Sequence, residues 1–199
     1  MSETNSGNKK PSLRKLFLFS IIDSYFATVI IDIITSLFLV DIASTFQISV
    51  GNAGQLVTVT SISSVMTGLC IGILSIRYNF KSILLLGVLF IASSSIGTFL
   101  APNFGWMLGF YSLNGIGSSM VFPMALAIIG DYLPIEKRAG AVGWVMATQS
   151  ITYIIGAPIL ALISNFGWRF NLIILVLPIS VVFFVLAAIN IPTKKIFTK

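Results

Sequence analysis

A chain of 199 residues that is 56% apolar and only 9% charged has too little polar surface to cover a water-soluble domain, in which about a quarter of residues are charged. Twelve Lys and Arg against six Asp and Glu give a net charge of +6, and the absence of histidine removes His-based metal sites, proton shuttles and Ser-His or Cys-His catalysis. The single cysteine, Cys70, lies in an apolar run, forms no internal disulfide and reads as packing; no metal or cofactor motif accompanies it.

Residues 1–15 are mostly polar and are expected to form a disordered tail. Six apolar stretches follow, at 16–40, 53–75, 82–100, 105–130, 140–163 and 170–191, each near the roughly twenty residues that a helix needs to cross about 30 Å of hydrocarbon. Helices are expected rather than strands, because the runs lack dyad alternation and a lipid-exposed backbone must satisfy its own hydrogen bonds. The expected domain is therefore an all-α unit of six transmembrane helices over 16–191, with a second short tail at 192–199. The first stretch is too long for the apolar part of a signal peptide and carries Asp23 and Asp32, so it reads as a retained span.

Asp32 lies near the middle of that first span. An ionised carboxylate there costs at least about 2.5 kcal/mol on insertion scales, and no Lys or Arg stands at comparable depth in any span, so Asp32 reads as a protonatable group. At 100° per residue Tyr25, Thr28, Thr35 and Ser36 share its face, a polar stripe that should point at a cavity or a partner helix. The alternative is a protonated Asp32 bonded to a neighbouring helix in a structural role. Asp23, two and a half turns earlier, faces the other way and reads as interfacial. The fourth span carries Tyr111, Asn114, Ser118 and Ser119, and the fifth carries Gln149 and Tyr153 one turn apart, groups that together suggest a wet interior. Small pairs at helical spacing, Gly68 with Gly72, Gly105 with Gly109 and Ala139 with Gly143, are expected to let helices approach closely. Pro123, Pro158 and Pro178 should bend the last three spans.

Counting Lys and Arg on alternate sides of six spans puts Lys9, Lys10, Arg14, Lys15, Arg77, Lys81, Lys137, Arg138, Lys194, Lys195 and Lys199 on the side of the N-terminus and Arg169 alone on the other. Both termini are therefore expected in the cytoplasm, in a multi-pass protein of the cytoplasmic membrane. A nucleic-acid-binding patch is excluded, because the cations are spread over four short juxtamembrane segments and do not cluster on one soluble face.

Several segments carry a resemblance. Six spans with both ends inside and a short basic loop between spans two and three look like the N-terminal half of a major facilitator superfamily transporter. Phe38 to Ser49, FLVDIASTFQIS, resembles the end of that family's first helix and the loop after it. The stretch from Gly72 through Arg77 to Lys81 resembles its glycine-x-leucine-x-aspartate-arginine-x-glycine-arginine motif, with Ile76 in place of the aspartate and Asn79 in place of the second glycine. Tyr111 through Asn114, Gly115 and Gly117 is similar to the arginine-x-x-glutamine-glycine motif of helix four, with Tyr111 at the arginine position. Gly130-Asp131, Pro134, Glu136, Arg138 and Gly140 resemble the next loop, Gly156-Ala-Pro158 partly matches the antiporter motif of helix five, and Gly167-Trp168-Arg169-Phe170 resembles the signature ahead of helix six.

The resemblance implies a transporter of twelve helices in two six-helix repeats, with the substrate between them near the midplane. This sequence accounts for one repeat, either as a piece of a longer chain or as a half that pairs with another copy or another protein. It implies a conformational motif of Gly72, Arg77, Lys81, Asp131, Gly156 and Pro158, with Arg77 or Lys81 approaching Asp131. The resulting expectation is a non-enzymatic secondary transporter, or half of one, for a small organic solute, in contact with membrane lipid. Asp32 would be the proton or substrate-cation site, and Tyr25, Ser36, Tyr111, Asn114, Gln149 and Tyr153 would line the cavity. The alternative is a non-transporting six-helix partner or regulator of a complete transporter.

Overall fold

The computed structural model describes residues 25–191, and the tails at 1–15 and 192–199, together with Asp23, lie outside them. The first predicted span enters as two helices, α1 (Tyr25–Leu37) and α2 (Leu39–Thr45), bent by 66° at Phe38 instead of running straight to residue 40. A single turn, α3 (Val50–Ala53), whose backbone at Asn52 is capped by the Ser49 hydroxyl at 3.1 Å, leads through Gly54 into α4 (Gln55–Arg77). Then come α5 (Phe80–Phe99), α6 (Phe104–Tyr132) and α7 (Ile135–Ile163), and a π-helical turn, Leu172–Val176, continues into α8 (Leu177–Asn190). Five of these units are long and apolar enough to cross a membrane, or six when the bent α1 and α2 count as one span. No strand occurs among the described residues.

Local chemistry sets the boundaries. The Asn103 side chain accepts from the Trp106 amide at 2.8 Å and so starts α6, while the β-region backbone of Pro134 starts α7. Pro123 and Pro158 are accommodated inside continuous helices. Pro178 acts differently: it has no N–H and its ring crowds the preceding turn, and that turn is the widened π segment, closed by the Leu177 amide on the Leu172 carbonyl. The marked bend, at Phe38, has no proline at all.

The core is built around α6. It packs on α5 and α4, and the close approaches fall at glycines the sequence spacing did not single out. A Cβ on Gly87 would lie 2.9 Å from the Gly117 carbonyl oxygen, and one on Gly115 would run into the Thr60 backbone, where Ser64 also donates to the Gly115 carbonyl at 2.9 Å. The expected small pairs are corrected accordingly. At Gly68, Gly72, Gly109 and Gly143 an added Cβ would meet nothing within 4 Å, and at Gly105 only the Asn103 side chain. A spacing of four marks one face of a helix but not whether a neighbour covers it.

α8 lies antiparallel against α5. The Lys81 ammonium donates to the Ala188 carbonyl at 2.6 Å at one end, and the Phe99 and Phe170 rings meet edge-on 6.0 Å apart at the other. Here Gly167, at φ +110°, turns the chain so that Trp168 and Arg169 reach back. Trp168 Nε1 donates to Thr45 Oγ1 of α2 at 3.0 Å; Arg169 donates to the carbonyl of Phe99, the last residue of α5, at 3.3 Å, and its guanidinium stands 5.3 Å over the Phe46 ring. Arg169 thus works as a clasp that ties α2, α5 and the entry to α8 together.

Candidate transport cleft

Two joined chambers open among α1, α4, α6 and α7. One, of about 470 Å³, is lined by Asp32, Thr35 and Ser36 of α1, Thr60, Ser61 and Ser64 with two valines of α4, and Tyr111 and Ser118 of α6. The other, of about 350 Å³, is lined by Tyr25, Thr28 and Asp32 of α1, Ser64 and Gly68 of α4, Ser118, Ser119 and Phe122 of α6, and Gln149 and Tyr153 of α7. Asp32, Ser64 and Ser118 belong to both, so the carboxylate stands where the chambers meet. Among the described residues it is the single charged one lining either chamber.

The sequence periodicity placed the α1 face correctly, and packing divides the work within it. Asp32 and Ser36 are exposed to the cleft, and the Ser36 hydroxyl donates back to the Asp32 carbonyl at 2.8 Å. Thr28 and Thr35 are buried: Thr28 donates to the Tyr25 carbonyl at 2.6 Å, and Thr35 is hydrogen-bonded to the Tyr111 hydroxyl. Tyr111 also points at the Ile31 carbonyl, 3.4 Å away, so its hydroxyl fastens α6 to α1 while its ring forms part of the cleft wall. Tyr25 donates to Gln149 Oε1 at 3.3 Å, bridging α1 to α7, and its ring lies 5.0 Å from that of Phe122.

Asn114 departs from expectation. It is fully buried behind the wall beside Asp32 and lines neither chamber; its amide nitrogen and oxygen complete no hydrogen bond of ordinary geometry among the described residues. Asn114 and Ser118 share a face of α6, but packing beside Asp32 covers Asn114, whereas Ser118, one turn on, reaches the open side. The α4 hydroxyls of Thr60, Ser61 and Ser64 are the lining groups that sequence reasoning missed, although Thr60 and Ser64 stand one turn apart in the segment Thr58-Val-Thr60-Ser61-Ile-Ser63-Ser64.

The residues of the conformational motif are apart from the cleft. Arg77, at the end of α4, and Asp131, near the end of α6, are exposed, Gly72 is exposed on α4, and Lys81 is committed to α8 through Ala188. Gly156 is buried on α7, where an added Cβ would meet Ile33 of α1 at 3.8 Å, and Pro158 is exposed. The Arg138 side chain donates to the Leu133 carbonyl at 2.9 Å and so caps the end of α6.

A bundle of membrane-length helices around a half-open polar cleft with one carboxylate at its centre is the architecture of a membrane transport protein. The profile of the Major Facilitator Superfamily matches residues 17–198, and the chain belongs to that family of multi-pass, non-enzymatic transporters. It is 31% identical over 133 residues to the uncharacterized MFS-type transporter YfhI of Bacillus subtilis (strain 168), covering 66% of this chain and 33% of that protein. It is 29% identical over 135 residues to protein spinster of Drosophila melanogaster, covering 65% and 22%. Its fold matches the inward-facing, unoccupied crystal structure of a bacterial homolog of the human lysosomal transporter Spinster with a TM-score of 0.70 at 21% identity, over 92% of this chain and 43% of that one. The chain thus spans about a third or less of these two curated relatives and under half of the solved structure.

Proposed function

We propose that this chain is one six-helix half of a secondary active transporter that moves a small organic solute by alternating access, with Asp32 as the residue that couples movement to a proton. The observation that carries the reading is the position of Asp32: at mid-span, open to both chambers, and the one charge on their walls among the described residues. A carboxylate without a cationic partner can alternate between charged and neutral forms as the cleft is flooded or closed. Tyr25, Gln149, Tyr153, Ser36 and the α4 hydroxyls would offer neutral hydrogen bonds to the solute. The open side of the cleft is where a second half, from a longer chain, a second copy or another protein, would complete the site.

The eleven-to-one distribution of Lys and Arg supports an orientation in the cytoplasmic membrane with Lys81, Lys137 and both termini inside and Asn52, Asn103 and Asn165 outside. On the inner side Arg77, the cation not engaged by α8, would meet Asp131; an exposed pair of this kind contributes about 0.2–1 kcal/mol and would bias one conformation rather than hold the fold.

Single-cysteine variants in a Cys70→Ala background test the orientation. An impermeant maleimide added to intact cells should label Asn52→Cys and Asn103→Cys and spare Lys137→Cys; labelling of Lys137→Cys alone reverses the assignment. Reconstitution tests the function. Vesicles holding the chain together with its second half should accumulate or expel solute when a pH gradient is imposed and should stop when the gradient is collapsed. Solute movement indifferent to the gradient would remove proton coupling from the reading.

A further inference from the structure

The hydroxyls of the cleft are already engaged as donors. Ser36 donates to the Asp32 carbonyl, and Thr60 and Ser61 to the carbonyls of Leu56 and Val57, each at 2.8 Å. Ser64 and Ser118 both donate to the Gly115 carbonyl, at 2.9 and 3.1 Å, and Ser119 donates to that of Ile116 at 2.8 Å. A hydroxyl has one proton and two lone pairs, so each of these groups turns acceptor lone pairs to the chamber that it lines. The Asp32 carboxyl, where the chambers meet, accepts in either charge state and extends the same wall. On α7 the polarity reverses. Tyr25 donates to Gln149 Oε1 at 3.3 Å, which leaves the Gln149 amide N–H groups and, one turn on, the Tyr153 hydroxyl as donors to the smaller chamber. Beside them the Tyr25 and Phe122 rings, with centroids 5.0 Å apart and inclined at 39°, form an aromatic wall.

We propose that the cleft selects uncharged solutes in which a polyhydroxylated part is joined to a flat ring, as in a nucleoside or an aryl glycoside. The solute hydroxyls donate to the α4 and α6 oxygens, and the ring lies on the Tyr25 and Phe122 wall within reach of the Gln149 amide. The reason is a difference in cost. A solute oxygen that accepts must first draw a hydroxyl proton away from its carbonyl, and one net hydrogen bond lost is worth roughly fivefold in affinity at each site; a solute O–H uses lone pairs that are free and disturbs nothing. Spacing decides between kinds of donor. Thr60 and Ser64 stand one turn apart, about 6 Å along α4, with Ser61 beside them. A single ammonium spans part of such a row, whereas the hydroxyls of a sugar are spread along it. An anionic solute brings acceptors to an acceptor wall. The acceptors of a heterocyclic ring find their donors on α7, which sets the orientation of the solute across the two chambers. This inference rests on reading the cleft as a solute site, and it does not depend on proton coupling.

Adenosine and phenyl β-glucoside, each paired with the analogue in which every sugar hydroxyl is methylated, provide the test. Methylation keeps the acceptor oxygens and removes the donors. Equilibrium dialysis of the purified chain in detergent, corrected for empty micelles, should show the parent compound bound at least about tenfold tighter than its methylated analogue. Binding of adenosine alone assigns the sugar to a nucleoside, and binding of the glucoside alone assigns it to a carbohydrate; either outcome supports the class. Thr60→Val keeps the shape of the side chain and removes the oxygen, and Ser61→Ala removes the oxygen next to it. Each should weaken binding of the parent by roughly threefold to tenfold and leave the methylated analogue unaffected, a split that a general loosening of the fold would not produce. Methylated analogues that bind as tightly as their parents, a preference unchanged in both variants, or no binding of either parent at about 10 mM overturns the inference. Proton-driven movement of a solute that is indifferent to methylation would sink this inference alone; the binding preference in a reconstituted protein that moves no solute would sink the transport reading alone.

Discussion

Asp32→Asn is expected to fold, insert and resist heat like the parent chain, within about 1 kcal/mol, and to lose proton-driven solute movement down to the level of empty vesicles. The substitution keeps the size and the hydrogen-bonding capacity of the side chain, and it removes only the ability to change charge. Asp32 lines both chambers; Ser36 is bonded to its backbone and not to its carboxylate, and the buried Asn114 amide beside it can face an asparagine amide as it faces the carboxyl, so the fold does not depend on the ionised form. Exchange of solute down its own gradient should survive, because that mode needs the site to open and close but not to carry a proton. The measurements are solute flux with and without a pH gradient, beside a thermal unfolding curve. A flux in Asp32→Asn that still follows the gradient would reassign Asp32 to helix packing.

Gly117→Val should have the largest effect on the fold. A Cβ at Gly117 would lie 2.5 Å from the Gly87 carbonyl oxygen and 2.7 Å from Ile91 Cγ1, and the Cβ that Gly87 itself lacks leaves no slack on the other side. Backbone cannot step aside as a side-chain tip can. α5 and α6 would have to separate, at a cost of about 3 kcal/mol, the upper end of ordinary overpacking penalties. Because Tyr111 on the same helix is bonded to Thr35 of α1, the displacement would carry into the cleft wall and lower solute binding as well. Gly109→Ala is the internal control. Its Cβ would meet nothing within 4 Å, and alanine in a helix interior is favoured over glycine by up to about 1 kcal/mol, so stability should hold or rise. Thermal unfolding in detergent and hydrogen exchange along α5 and α6 read both outcomes; a Gly117→Val protein as stable as the parent would mean that the two helices are not in register as described.

Much of the molecule could be read from the sequence because membrane insertion is decided locally. Whether twenty consecutive residues can leave water depends on those residues alone; five of the six stretches return as membrane-length helices, and the described part of the first lies in a bent pair. The stripe of Tyr25, Thr28, Asp32, Thr35 and Ser36 was likewise legible, since helical geometry fixes which side chains share a face. What a face meets is a different matter. Thr35 and Ser36 are adjacent in sequence, yet one is sealed against Tyr111 and the other opens to the cleft; Asn114 and Ser118 are one turn apart, yet only Ser118 lines the cleft. The glycines at helix crossings, the α4 hydroxyls on the cleft wall and the bend at Phe38, beyond which Trp168 holds Thr45, all depend on contacts between segments far apart in the chain. The sequence by itself determined that the chain is built of membrane-length helices, which residues share a helix face with the carboxylate and where along the chain the cations fall; only the tertiary structure decided which side chains are shared between helices and which line the cleft, because in lipid that choice is made by close packing and hydrogen bonding between helices and not by the apolar character common to them all.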